Sequence, residues 1–186
     1  VLNKKVITLF LIATALVIEA AGQESKTVTK ISGSGAEVHT YRKIPEATEP
    51  CLPAECEWWK RLRQAGNELQ RKGDDKSQRR FVTLFVEGLE NSYRVPVKDR
   101  PAQPLTFGPM VRVSGVNGTV QLSVEFLADA SVGEVSVIKG VGKAIDQSCI
   151  QSARQILFLP AIKDGLFVNS QQKPVYNFRY NPNGRR

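Results

Sequence analysis

Three cysteines, one histidine and a glycine pair ahead of a lysine are the residues whose types and spacing could carry chemistry in this 186-residue chain. Cys51 and Cys56 lie close together, bracketed by Pro50 and Pro53. In an oxidising compartment such a pair closes a local disulfide, and so short a loop stabilises a turn more than a whole fold. A structural metal centre needs about four ligands, and this pair with His39 does not supply them. Cys149 as a nucleophile would need an adjacent base and an oriented partner. His39, the only histidine, stands far away in a polar stretch. Gly140-Val141-Gly142-Lys143 lacks the third glycine of one phosphate-binding motif and the Ser or Thr after Lys of the other, so it reads as a flexible turn into a helix. No paired carboxylates stand in a recognisable frame. The expectation is therefore a binding protein rather than an enzyme, with no cofactor and no metal.

The elements around these residues describe a small α+β domain near the C-terminus. Between Gly118 and Leu127 the polar and apolar residues alternate, with Val120, Leu122, Val124 and Phe126 on one face and Gln121, Ser123 and Glu125 on the other. That alternation predicts a strand with one buried and one wet face, as in antiparallel sheets. A turn over Asp129 to Gly133 leads to a second strand carrying Val135 and Val137. Ile145, Cys149, Ala153 and Ile156 recur at helical spacing, which puts Cys149 on an apolar stripe as a small hydrophobe. Asp146 suits the first turn of that helix, and Pro160 forbids its continuation. Asp164-Gly165 reads as a turn. The last strand places Tyr176, Phe178 and Tyr180 on one face and Val175, Asn177 and Arg179 on the other. Upstream, Phe107 to Val111 reads as a short helix with Pro109 in its first turn.

A second, smaller module precedes this domain. Trp58, Leu62, Ala65 and Leu69 form one helical face, widened by Trp59 and stopped at Gly73-Asp74. From Arg80 to Val97 a hairpin and a helix fit equally well: Phe81, Thr83 and Phe85 alternate with Val82, Leu84 and Val86, while Phe81, Phe85 and Leu89 suit a helix. A module of this size needs its disulfide as a staple. Pro96, Pro101 and Pro104 give the following stretch a linker composition.

At the other end, Lys4 and Lys5 precede an apolar run from Val6 to Ile18, and Ala20-Ala21-Gly22 offers a cleavage site before Gln23. The alternative is an uncleaved inner-membrane anchor, although the run falls short of the roughly 20 residues a spanning helix needs. The expected organisation is a signal peptide or anchor (1–22), a polar leader (23–50), the small module with Cys51 and Cys56 (51–98), a linker (99–104), the α+β domain (105–181) and a basic tail (182–186). The formal charge of +8 is spread along the chain, densest at Lys72, Lys76, Arg79 and Arg80. In an exported protein such a face meets membrane lipid or cell-wall polymer rather than nucleic acid.

From about Leu105 to Asn181 the sequence resembles the C-terminal domain of TonB-type energy transducers. The resemblance is carried by Pro109 and Arg112, Gly118-Thr119-Val120, Gly133 to Val137, Ile145-Asp146, Phe158-Leu159-Pro160-Ala161, Asp164-Gly165 and Phe178-Arg179-Tyr180. It implies a three-stranded antiparallel sheet packed with one or two helices, in a periplasmic protein that is soluble or attached to the inner membrane. It also implies binding to an extended segment of an outer-membrane transporter or another envelope protein, with coupling to an inner-membrane motor complex if the N-terminal segment is uncleaved. The partner-binding expectation falls on the last strand: Val175, Tyr176, Asn177, Phe178, Arg179 and Tyr180. An exposed edge offers unpaired N–H and C=O groups that an incoming strand can pair, and a copy of the same chain could pair there too. The alternative is a structural or cell-wall-binding envelope module on the same fold, without energy transduction.

Overall fold

The computed structural model describes residues 28–30 and 42–179. The signal peptide or anchor expected at 1–22, His39, Tyr180 and the basic tail lie outside the described residues. In chain order the elements are β1 (Val28–Lys30), α1 (Pro53–Lys72), α2 (Asp75–Glu90), β2 (Gln103–Thr106), β3 (Gly118–Phe126), β4 (Val132–Lys139), α3 (Lys143–Ala153), β5 (Leu157–Leu159), β6 (Ala161–Lys163), β7 (Leu166–Val168), β8 (Ser170–Gln172) and β9 (Val175–Phe178). The architecture is α+β, with the Cys51–Cys56 disulfide ahead of α1.

Pro53 occupies the first turn of α1, where its missing N–H costs nothing. The Glu55 carboxylate reaches back to accept the Leu52 N–H at 3.1 Å. Gly73 ends the helix in the left-handed conformation, φ 64°, and its N–H bonds the Leu69 carbonyl. Trp58, Trp59, Leu62, Ala65 and Leu69 are all buried. The segment that suited hairpin and helix alike is helical: Asp74 caps α2 by accepting the Ser77 N–H at 2.7 Å. The buried residues Ser77, Phe81, Leu84, Phe85 and Gly88 then follow a helical rather than a two-residue period.

The main sheet has the order β1-β9-β3-β4, and β8 pairs the same strand β3 further along. β8 and β9 are thus two halves of one bent strand, interrupted at Lys173 and Pro174, antiparallel to β3. The three antiparallel strands expected from the alternation are present as β4, β3 and the bent β8–β9 strand, and β1 adds another, parallel to β9. Val120, Leu122, Val124 and Phe126 face inward against Cys149 and Ala153 of α3.

One expected element is absent. Phe107 to Val111 forms no helix. The chain instead runs close against the end of α3, where Ser152 Oγ donates to the Pro109 carbonyl at 2.8 Å. A Cβ on Gly108 would stand 1.7 Å from the Ser152 carbonyl. This docking against α3 stands where the helical turn was expected.

Two apolar clusters meet at β5. Phe158 stacks on Phe126 in the sheet core, with centroids 3.8 Å apart and planes 11° from parallel. Its neighbour Leu159 belongs to the helical core with Trp58, Phe85, Leu105 and Ile162. Residues 99–104 lie across this junction: Arg100 pairs with Ile162 in an isolated bridge, Ala102 is buried, and Gln103 and Pro104 are the first half of β2.

Candidate functional site

The edge formed by β9 is built from β3 outward. The Leu122 N–H donates to the Pro174 carbonyl at 3.1 Å, and the register pairs Val120 with Tyr176 and Gly118 with Phe178. Hydrogen-bonded pairs alternate along an antiparallel ladder. Tyr176 and Phe178 therefore direct their main-chain groups at β3, and Val175 and Asn177 direct theirs away from it. The outward N–H and C=O groups of those two residues are what β9 offers to another strand.

Side chains divide the other way. Tyr176 (4% exposed) and Phe178 (5%) are buried in the sheet core. Burial pushes the Tyr176 phenol above its usual range, opposed by the neighbouring Ser152 hydroxyl. Asn177 is held across the strand pair, where Thr119 Oγ1 donates to its Oδ1 at 3.0 Å. Arg179 is exposed. Four of the six candidate residues thus form β9, Arg179 follows it, and Tyr180 lies outside the described residues.

The outward edge of β9 is occupied. Val28, Thr29 and Lys30 pair with Val175, Tyr176 and Asn177 in parallel register. With Thr29 opposite Tyr176, its N–H meets the Val175 carbonyl and its carbonyl meets the Asn177 N–H. The leader had shown only β-branched residues in a polar context, Thr27-Val28-Thr29, a faint strand signal. The opposite end of the sheet is β4, whose outer side pairs with no strand among the described residues. Its pairing to β3 shifts register twice, at Gln121/Leu122 and between Val124 and Phe126. Such irregularities bend a strand and blunt its edge, even though Val137 (40%) and Ile138 (51%) are exposed there.

The glycine turn is closed from within. Asp146 Oδ1 accepts the Val141 N–H at 3.0 Å and the Gly142 N–H at 3.5 Å. A Cβ on Gly140 would meet the same carboxylate at 2.2 Å. The backbone donors that a phosphate would use already hold a carboxylate. Cys149 is fully buried, and burial followed by the Asp146 charge pushes its thiol up to about 12.

Asp164 (φ 53°) and Gly165 (φ 73°) form the two-residue loop between β6 and β7. Two successive positive φ values are what tight hairpins demand, and Asp-Gly supplies them. The loop docks on the segment before β2: the Val95 N–H donates to the Gly165 carbonyl at 2.8 Å, and Arg94 Nη2 to the Asp164 carbonyl at 2.9 Å.

These features, from the Gly-Thr-Val opening of β3 to the aromatic last strand, lie within one matched stretch. Residues 103–182 match the family model of the Gram-negative bacterial TonB protein C-terminal. This stretch is a TonB C-terminal domain. No curated protein matches the chain. TonB C-terminal domains are non-enzymatic interaction modules that contact outer-membrane transporters, and the TonB family is periplasmic. Among the described residues, no helix is long and apolar enough to cross a membrane.

Proposed function

We propose that this protein is a periplasmic, non-enzymatic binding protein. Its TonB C-terminal domain takes an extended segment of an outer-membrane transporter as an added strand on β9 and can pass force to it. The observation that carries this reading is the β9 edge itself: outward main-chain groups at Val175 and Asn177, a regular register to β3, and a geometry that already holds a short parallel strand. Backbone pairing supplies affinity in this mode of recognition, and the side chains beside the strand supply selectivity. The outward-facing residues Val175, Asn177 and Arg179 would fill that second role, while Tyr176 and Phe178 hold the strand on its core. An inner-membrane motor complex is the source of force if the N-terminal segment stays attached to the membrane. A homodimer through β9 requires residues 28–30 to leave the edge first.

Asn177→Pro tests the reading. It deletes an outward N–H and leaves the main-chain bonds to β3 in place, at the cost of the one side-chain bond from Thr119 Oγ1. Binding of peptides from periplasm-facing segments of outer-membrane transporters should weaken more than about ten-fold, while the circular dichroism and melting of the domain stay near wild type. Unchanged affinity in a folded variant would rule out strand addition here.

A second reading is a structural envelope module that contacts anionic cell-wall polymer. It is favoured by an open cleft of about 680 Å³ lined by Lys43, Asn67, Glu68, Arg71 and Arg80. Against it, Glu68 already pairs with Lys72 at 2.5 Å and Arg80 at 3.0 Å, which neutralises part of the basic face. Retention on cell-wall polymer would survive Asn177→Pro, so one variant separates the two.

A further inference from the structure

The edge proposed for the partner is filled by the chain itself, and we infer that residues 28–30 are a displaceable internal occupant that holds β9 closed until a partner strand replaces them. This inference rests on the strand-addition reading and adds a competition to it. Two observations carry it. The register Val28 to Val175, Thr29 to Tyr176 and Lys30 to Asn177 places Thr29 on the outward groups of Val175 and Asn177, the same groups an incoming strand would use. Partner and leader therefore cannot occupy β9 together. Among the described residues the occupant is three residues long, whereas β3 runs from Gly118 to Phe126 beside the bent strand. A strand of three residues gains few backbone bonds, so a longer segment that continues along the edge displaces it.

Covering the edge also answers a hazard. Bare strand edges template aggregation, and proteins protect them with short strands, charge or cover. β4 is blunted by its register shifts, and β9, which is regular, is covered by β1. An internal cover that can leave protects the edge without abolishing its use. The apparent affinity of a partner is then reduced by the fraction of molecules in which the edge is open.

The test uses the full chain and a labelled synthetic peptide copying residues 25–33 as the probe. Thr29→Pro removes the N–H that bonds Val175 and leaves the folded domain untouched. Thr29→Ala keeps the backbone and controls for the side chain. The peptide should bind the Thr29→Pro chain about ten-fold more tightly than wild type, the factor expected if the edge is open about one tenth of the time. The Thr29→Ala chain should behave as wild type. Equal affinity for wild type and Thr29→Pro, absence of binding to either, or the same gain from Thr29→Ala would overturn the inference. Transporter peptides separate the two claims. If they bind wild type and Thr29→Pro equally and are lost in Asn177→Pro, strand addition stands and the internal occupant falls. If they bind neither chain while the leader peptide shows its ten-fold gain, the internal occupant stands and the transporter reading falls.

Discussion

At the scale of single residues, Cys51 and Cys56 form a disulfide and Cys149 and the glycine turn are packed into the fold. Cys149 is a thiol on the apolar stripe of α3, and its shift carries a pH signature. Its folded value, about 12, lies above the ordinary 9.0. A raised value means the folded state holds the proton longer, so this contribution to stability is complete below about pH 9 and is lost as pH rises toward 12. Urea melts from pH 8 to 11 should show wild type weakening with pH more steeply than Cys149→Ala. Alkylation at pH 8, followed by mass, should modify Cys149 only after denaturation. Asp146 gives a second residue-scale prediction. Asp146→Ala strips the acceptor from Val141 and Gly142 and should cost about 1 kcal/mol in a urea melt. These assignments were legible beforehand because they depend on types and neighbours: an apolar period around Cys149, no base near it, and too few glycines before Lys143. The role of Asp146 went further than sequence reasoning reached. A helix-dipole preference predicted its place, but not that its carboxylate would seat the glycine turn.

At the scale of elements, α1 and α2 pack so closely that one glycine decides their distance. A Cβ on Gly88 would stand 2.1 Å from the Trp58 ring, whose Nε1 donates to the Leu84 carbonyl at 2.7 Å. Gly88→Ala should destabilise the protein by about 1–3 kcal/mol through overpacking, although alanine is the better helix former. A thermal melt checks this, and a stabilised variant would contradict the packing. Glu55 ties α1 to the next segment by accepting the Leu52 and Arg94 N–H groups, both at 3.1 Å. Its replacement by Ala leaves two donors unmet. α1 could be read from its sequence because its apolar stripe and glycine stop agree. α2 could not, since Phe81 to Val86 satisfies both periods; the Asp74 cap and the docking of Phe81, Leu84 and Phe85 on α1 decide it. β2 was hidden by Pro104, yet a proline is tolerated in a strand that pairs on one side only, as β2 does with β5 among the described residues.

For the whole molecule, the helical cluster and the TonB C-terminal domain share a boundary rather than a free hinge. Leu159 is fully buried among side chains of both. Leu159→Ala should cost about 2–5 kcal/mol, and calorimetry should show one transition that moves as a unit rather than a low-temperature shoulder. The antiparallel sheet and the edge formed by its aromatic last strand followed from alternation and from the TonB-like motifs. The cover on that edge did not, because three residues of a polar leader carry almost no periodicity, and their pairing is fixed by β9 rather than by themselves. Amide hydrogen exchange on the full chain, with and without a transporter segment, tests the central claim most directly. With the partner on β9, the Asn177 amide stays protected or gains protection while the Thr29 amide loses its own as the partner takes its place. Protection that appears instead along Val132–Lys139, with residues 28–30 and 175–178 unchanged, would place the partner on β4 and contradict it.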